Sequence, residues 1–152
     1  MGAVPSCANP IYTASELVHQ LKLSKSKFLI THPGFIKAAT EAASQVGIPN
    51  AHIFLVDKVL NLPYISIAEL IEVGKTAPEI VRVKFAPNEA KTRPALLNFS
   101  SGTGGLPKGV LISHYNVIAN VCQLYLVERG SKSTVCNGCL PFFHSMSPYD
   151  SD

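Results

Sequence analysis

Ser100-Ser101-Gly102-Thr103-Gly104-Gly105-Leu106-Pro107-Lys108 is delivered by one apolar run, Ala95-Leu96-Leu97-Asn98-Phe99, and carried away by another, Val110-Leu111-Ile112. Residues 100–108 hold three hydroxyls, three glycines and one lysine. Glycine reaches backbone angles that a Cβ forbids, so successive N–H groups can turn toward one point. Such a row of amides is a concave anion site. Ser and Thr add hydroxyl donors, and Lys adds a compact positive charge suited to phosphate. The stretch therefore reads as a loop between two strands that holds a polyphosphate.

Three other readings compete. A Walker A loop is G-x-x-x-x-G-K-S/T. Counted from Gly102, its second glycine falls on Pro107 and its final hydroxyl on Gly109, so both checks fail. The dinucleotide pattern G-x-G-x-x-G also fails at Pro107, and a β-type run follows where that motif needs a helix. A Gly-rich hairpin with no ligand is the plain structural alternative. The hydroxyls, proline and lysine at fixed offsets favour the phosphate reading over it.

The same residues, continued through Gly109-Val110-Leu111-Ile112-Ser113-His114, closely resemble the ATP-phosphate loop of adenylate-forming (AMP-binding) enzymes, whose pattern is S-S-G-T-T-G-x-P-K-G-V. Gly104 departs from it, standing where that family has a second Thr or Ser. The change removes one hydroxyl donor and keeps the backbone donors and Lys108. Two more stretches carry the resemblance. Asn9-Pro10-Ile11-Tyr12-Thr13-Ala14-Ser15-Glu16-Leu17 is similar to an N-P-x-Y-T-x-x-E-L segment of the branch with acyl-CoA synthetases, luciferases and 4-coumarate–CoA ligase. Leu140-Pro141-Phe142-Phe143-His144 looks like the next family motif, whose aromatic or His residue lines the acyl site. The resemblance fades over residues 145–152.

The resemblance implies carboxylate activation. The acid attacks the α-phosphate of ATP to give acyl-AMP and pyrophosphate, and the thiol of coenzyme A then displaces AMP. The protein's part is positioning and charge compensation. Ser100, Ser101, Gly102, Thr103, Gly104, Gly105 and Lys108 would cradle the β- and γ-phosphates, and His144 would line the acyl pocket. Implied small molecules are ATP, Mg²⁺, coenzyme A and an aromatic or fatty acid. No counterpart of the family's later Y-G-x-T-E-like segment is found, so the Mg²⁺ ligand, the adenine-stacking aromatic, the ribose Asp and the C-terminal domain with its lysine are expected to be missing. The chain is expected to be an internal slice of a partial AMP-binding N-terminal domain spanning 1–152. Two functions of different class stay open: a ligase segment, and an inactive remnant or isolated phosphate-binding fragment.

Length and composition fit one domain. The 152 residues allow a real core. Apolar residues make up 47% and charged residues only 15%, against about 25% charged in ordinary soluble domains. Part of the surface is therefore expected to lie against more protein. A net charge of +3 is too mild to argue for nucleic acid or a membrane surface. No apolar run approaches the roughly 20 residues that span a bilayer, and residues 1–9 lack the features of a signal peptide. The expected location is intracellular, cytoplasmic or peroxisomal. Cys136-Asn137-Gly138-Cys139 has neither a thioredoxin-like context nor a second zinc-ligand pair, so its cysteines read as buried in a strand. Cys7 and Cys122 are isolated.

Helices and strands alternate along the chain. Thr13-Ala14-Ser15-Glu16 is a capping box and predicts a helix over 14–23. Residues 28–31 read as a strand, 35–46 as a helix closed by Gly47, and 52–56 as a second strand. Ser66-Ile67-Ala68-Glu69 opens a short helix, expected to stop at Gly74. Residues 79–89 fit an edge strand or a connector. Strands at 95–99 and 110–113 flank the loop, a helix covers 115–128, and a last strand covers 135–140. His114 reads as structural, and His19, His32 and His52 show no converging partners. The alternation predicts a partial doubly wound α/β fold, its sheet largely parallel with flanking helices.

Overall fold

The computed structural model describes residues 2–100 and 106–128. The chain divides into two compact units, Ala8–Val81 and a second formed by Met1–Cys7 with Arg82–Asp152. The strand expected over 135–140 and the Cys136/Cys139 pair lie outside the described residues.

In Ala8–Val81 the first helix, α1, spans Ala14–Ser24. Thr13 caps it: the Glu16 N–H donates to Thr13 Oγ1 at 3.4 Å, and the Thr13 N–H donates to Glu16 Oε2 at 2.8 Å. Lys25 ends it in the left-handed region at φ 52°, which lets the Ser26 N–H reach back to the Leu21 carbonyl. Strand β1, Leu29–Thr31, follows. A 3₁₀ turn, Pro33–Phe35, leads into α2, Ile36–Val46. Gly47 stops α2 at φ 78°, and the Ile48 N–H bonds the Ala43 carbonyl at 2.9 Å. This is the left-handed helix end that glycine adopts without a Cβ penalty. Strand β2 is Ile53–Leu55 and β3 is Ile65–Ser66.

The three strands form a parallel sheet in the order β1-β2-β3. Leu29 pairs with Ile53, Ile30 with Phe54, and Phe54 with Ile65. Side chains alternate across a strand, so Ile53 and Leu55 face inward together. Ile53 joins Leu17, Val18, Leu21, Ala42, Ala43 and Ile48 in one core. The row Ile30–Phe54–Ile65 lies on the opposite face, where Ile30 and Ile65 are exposed.

Helix α3 spans Ile67–Lys75 and starts from a second capping box between Ser66 and Glu69. It does not stop at Gly74, as the sequence reading expected. Gly74 lacks a positive φ and sits inside the last turn. Thr76 closes the helix instead, its Oγ1 donating to the Val73 carbonyl at 3.0 Å. A helical glycine costs about 1 kcal/mol relative to alanine, which weakens a helix without ending it. Residues 78–86 take neither helix nor strand, which settles the open choice there in favour of a connector.

In the second unit a 3₁₀ turn, Glu89–Lys91, precedes β4, Pro94–Ser100, and β5, Lys108–Ser113. These two strands pair antiparallel and form a sheet of their own. The parallel pairing expected from the alternation thus holds in Ala8–Val81, while the strands around the loop are a hairpin. Helix α4, His114–Glu128, follows β5 directly.

Candidate functional site

The site is built on the β4–β5 hairpin. Its ladder runs from Leu96↔Ile112 through Leu97↔Leu111, Asn98↔Val110 and Phe99↔Gly109 to Ser100↔Lys108. Ser100 and Lys108, both read from the sequence as phosphate ligands, therefore stand directly opposite each other on the last rung before the connection. Both are exposed. Ser101, Gly102, Thr103, Gly104 and Gly105 lie outside the described residues, as does His144.

The ladder fixes which side chains share a face. A Cβ placed on Gly109 would meet Leu97 Cδ1 at 3.3 Å and Phe99 Cζ at 3.5 Å. Leu97, Phe99 and Gly109 therefore occupy one face, with the two apolar side chains lying over the glycine. By alternation Asn98, Ser100, Lys108 and Val110 occupy the other. Lys108 makes no ion pair with a carboxylate among the described residues. The nearest counterexample in the unit is Arg93, whose guanidinium is tied to Glu89 at 2.6 Å. The Ala86 N–H and then Arg93 hold the Glu89 carboxyl below its ordinary range. An exposed lysine opposite a serine hydroxyl suits the negative charge of a polyphosphate.

Neighbouring segments brace the hairpin. The outward Leu97 N–H of β4 donates to the Pro5 carbonyl at 3.0 Å. Ser113 and Asn116 exchange bonds at the start of α4: the Asn116 N–H donates to Ser113 Oγ at 3.1 Å, and the Ser113 N–H donates to Asn116 Oδ1 at 3.1 Å. The His114 ring packs edge-on against Phe85 with centroids 4.8 Å apart, consistent with a structural His114. Lys91 lies over the Tyr115 ring at 5.6 Å, a cation–π contact. Cys7 and Cys122 are exposed.

Among the described residues no three His, Cys, Asp or Glu side chains gather as a metal site. His32 has partners that the sequence reading missed. Its Nδ1 accepts the Gly34 N–H at 3.0 Å, and its Nε2 lies 3.7 Å from Asp57 Oδ2. With both ring nitrogens engaged, it serves the turn between β1 and α2. The His-Pro-Gly sequence was the available signal, since a His before a Pro-Gly turn can cap it. His52 Nδ1 lies 3.1 Å from the Lys27 carbonyl oxygen, and its ring packs on Phe28. Asn98, a polar residue two positions before Ser100 in an apolar run, pairs with Val110.

The AMP-binding enzyme family matches residues 1–150. The chain is 33% identical to acyl-CoA ligase AFT1-1 of Alternaria alternata, over 95% of this chain and 26% of that protein. It is 34% identical to 4-coumarate–CoA ligase 3 of Arabidopsis thaliana, over 97% of this chain and 25% of that protein. Among solved structures it resembles a long-chain-fatty-acid–CoA ligase from Archaeoglobus fulgidus, with a TM-score of 0.77 and 30% identity over 95% of this chain and 27% of that one. The chain thus spans about a quarter of the length of these relatives. With the match running across both units and through the hairpin, the chain belongs to the family of AMP-binding enzymes.

Proposed function

We propose that this chain is the phosphate-holding segment of an ATP-dependent acid–thiol ligase. The observation that carries the reading is the Ser100–Lys108 rung at the mouth of the hairpin, which sets a hydroxyl opposite an ammonium that makes no ion pair among the described residues. A carboxylate oxygen attacks the α-phosphorus of ATP, and the bond to the bridging oxygen breaks, releasing pyrophosphate and acyl-AMP. The thiol of coenzyme A then attacks the acyl carbon and AMP leaves. In this scheme Lys108 offsets charge on the departing pyrophosphate, and Ser100, Ser101 and Thr103 donate to its oxygens. The backbone of Gly102, Gly104 and Gly105 would complete the cradle and His144 would line the acyl pocket, while a bound Mg²⁺ would supply further charge compensation. The ligase names of the relatives support an aryl or fatty acid as substrate.

A second reading, a chain that grips phosphate without turning over acid, is supported by α4. Ile118, Val121 and Tyr125 are all exposed there, whereas acyl transfer needs a site closed to water. Titration calorimetry of the chain with ATP tests both. Binding that disappears in Lys108→Ala, with the melting temperature unchanged, is expected. Equal affinity in the variant sinks the assignment of Lys108. Acid-dependent ATP–pyrophosphate exchange by the chain alone would overturn the second reading in favour of the first.

A further inference from the structure

We infer that Asn98 is a third ligand-binding side chain of the hairpin, donating its amide to an oxyanion of the same polyphosphate that Ser100 and Lys108 hold. The inference rests on the phosphate reading of the hairpin and extends it to a residue outside the loop motif.

Three observations carry it. The first is placement. Asn98 pairs with Val110 one rung beyond Phe99↔Gly109, and Ser100 pairs with Lys108 one rung before it. The Leu97 and Phe99 side chains lie over Gly109, so Asn98, Ser100 and Lys108 project from the opposite face, which they share with Leu96, Val110 and Ile112. At about 3.4 Å per residue, Asn98 sits about 7 Å along the strand from Ser100. It is a diagonal neighbour of Lys108, within reach of a long side chain. The second is chemistry. Among the described residues nothing gives the Asn98 amide a hydrogen-bond partner. Unlike exposed Ser100 and Lys108, it is half-buried, where an amide gains most from a bound oxyanion. The third is local cost. Asn is depleted in strands, and this one interrupts Ala95-Leu96-Leu97 and Phe99. A residue that breaks the local pattern without a structural partner marks a site of use.

The test is titration calorimetry of the full 152-residue chain with inorganic tripolyphosphate and with ATP, beside thermal melts. Asn98→Ala is expected to weaken tripolyphosphate binding about tenfold or more, the loss of one hydrogen bond to a charged group. Asn98→Asp is expected to weaken it further by repulsion. Asn98→Leu, the better strand former, is expected to weaken binding equally while melting at or above the parent temperature. Parent-like affinity in Asn98→Ala, with binding lost in Lys108→Ala, overturns the role of Asn98 and leaves the hairpin reading intact. Weakened binding in Asn98→Ala with full affinity in Asn98→Leu would make the residue structural and likewise overturn it. No binding of either ligand by the parent chain overturns both.

Discussion

Ala8–Val81 and the hairpin-and-helix unit handle apolar surface differently. All the buried apolar side chains among the described residues belong to the first unit, with Ile53 and Leu55 at 1% and 0% exposure. In the second unit the apolar residues of β4 are half-buried, and Leu111, Ile118 and Tyr125 are exposed. The first unit has helices packed on one face of a parallel sheet. The second has a two-stranded ladder, a construction marginal on its own, and a helix apolar on most sides, which is the pattern of a buried helix. The structural unit brings its own core. The unit that carries the candidate site presents apolar surface of the kind that protein normally covers.

Paired truncations break or confirm this contrast with the largest effect. Ile53→Ala is expected to cost about 2–5 kcal/mol, as for other large core deletions. Ile118→Ala, at a residue 60% exposed, is expected to stay within about 0.5 kcal/mol. Similar losses in urea denaturation would mean that α4 is covered in solution, and the contrast would vanish.

Two glycines sharpen it next. Gly47→Ala must hold a Cβ at φ 78° and is expected to cost about 1–2 kcal/mol, the penalty of the left-handed region. Gly109→Ala meets only side-chain atoms, Leu97 Cδ1 and Phe99 Cζ, which can move aside on a half-exposed face. Its cost is expected to be the smaller of the two, and the reverse order in thermal melts would show the hairpin to be the more rigidly packed unit.

The smallest effect is with acid. Hydrogen bonds from Lys58, then from the Ser66 backbone and hydroxyl, pull the Glu69 carboxyl down to about 2. A carboxyl depressed in the folded state contributes stability above its ordinary range, and that contribution fades as pH falls toward 2. Protection factors of amides in the first turn of α3, taken relative to intrinsic exchange at each pH, should therefore fall between about pH 4.5 and pH 2. Glu69→Gln should flatten that dependence; an unchanged profile would remove Glu69 as its source.

Much of the first unit was legible because its signals are local. Thr13/Glu16 and Ser66/Glu69 start helices through bonds three residues long, and Gly47 ends one by a single backbone angle. Gly74 misled because glycine marks a helix end only where φ turns positive. The hairpin was half legible. Apolar runs located both strands, but nothing local says which strand a neighbour pairs with, so the antiparallel ladder emerged only in three dimensions. Strand β5 also starts at Lys108, before its apolar run, because pairing with Ser100 rather than hydropathy sets its limit. Of the candidate site, the motif supplied Ser100 and Lys108. It could not supply Asn98, whose relevance comes from sharing a face with them.

The bond from the Leu97 N–H to the Pro5 carbonyl joins residues about 90 positions apart, with the whole of Ala8–Val81 between them in sequence. Such a contact gains little until the intervening chain has compacted, since closing a long flexible loop carries an entropic cost that grows with its length. The hairpin can zip from its own connection, but the outer edge of β4 must wait for a segment synthesised long before it. During that wait an unpaired strand edge is open to other chains. The order of events in folding, rather than the finished contacts, then decides how much of this protein reaches a state in which Ser100, Lys108 and Asn98 stand in register.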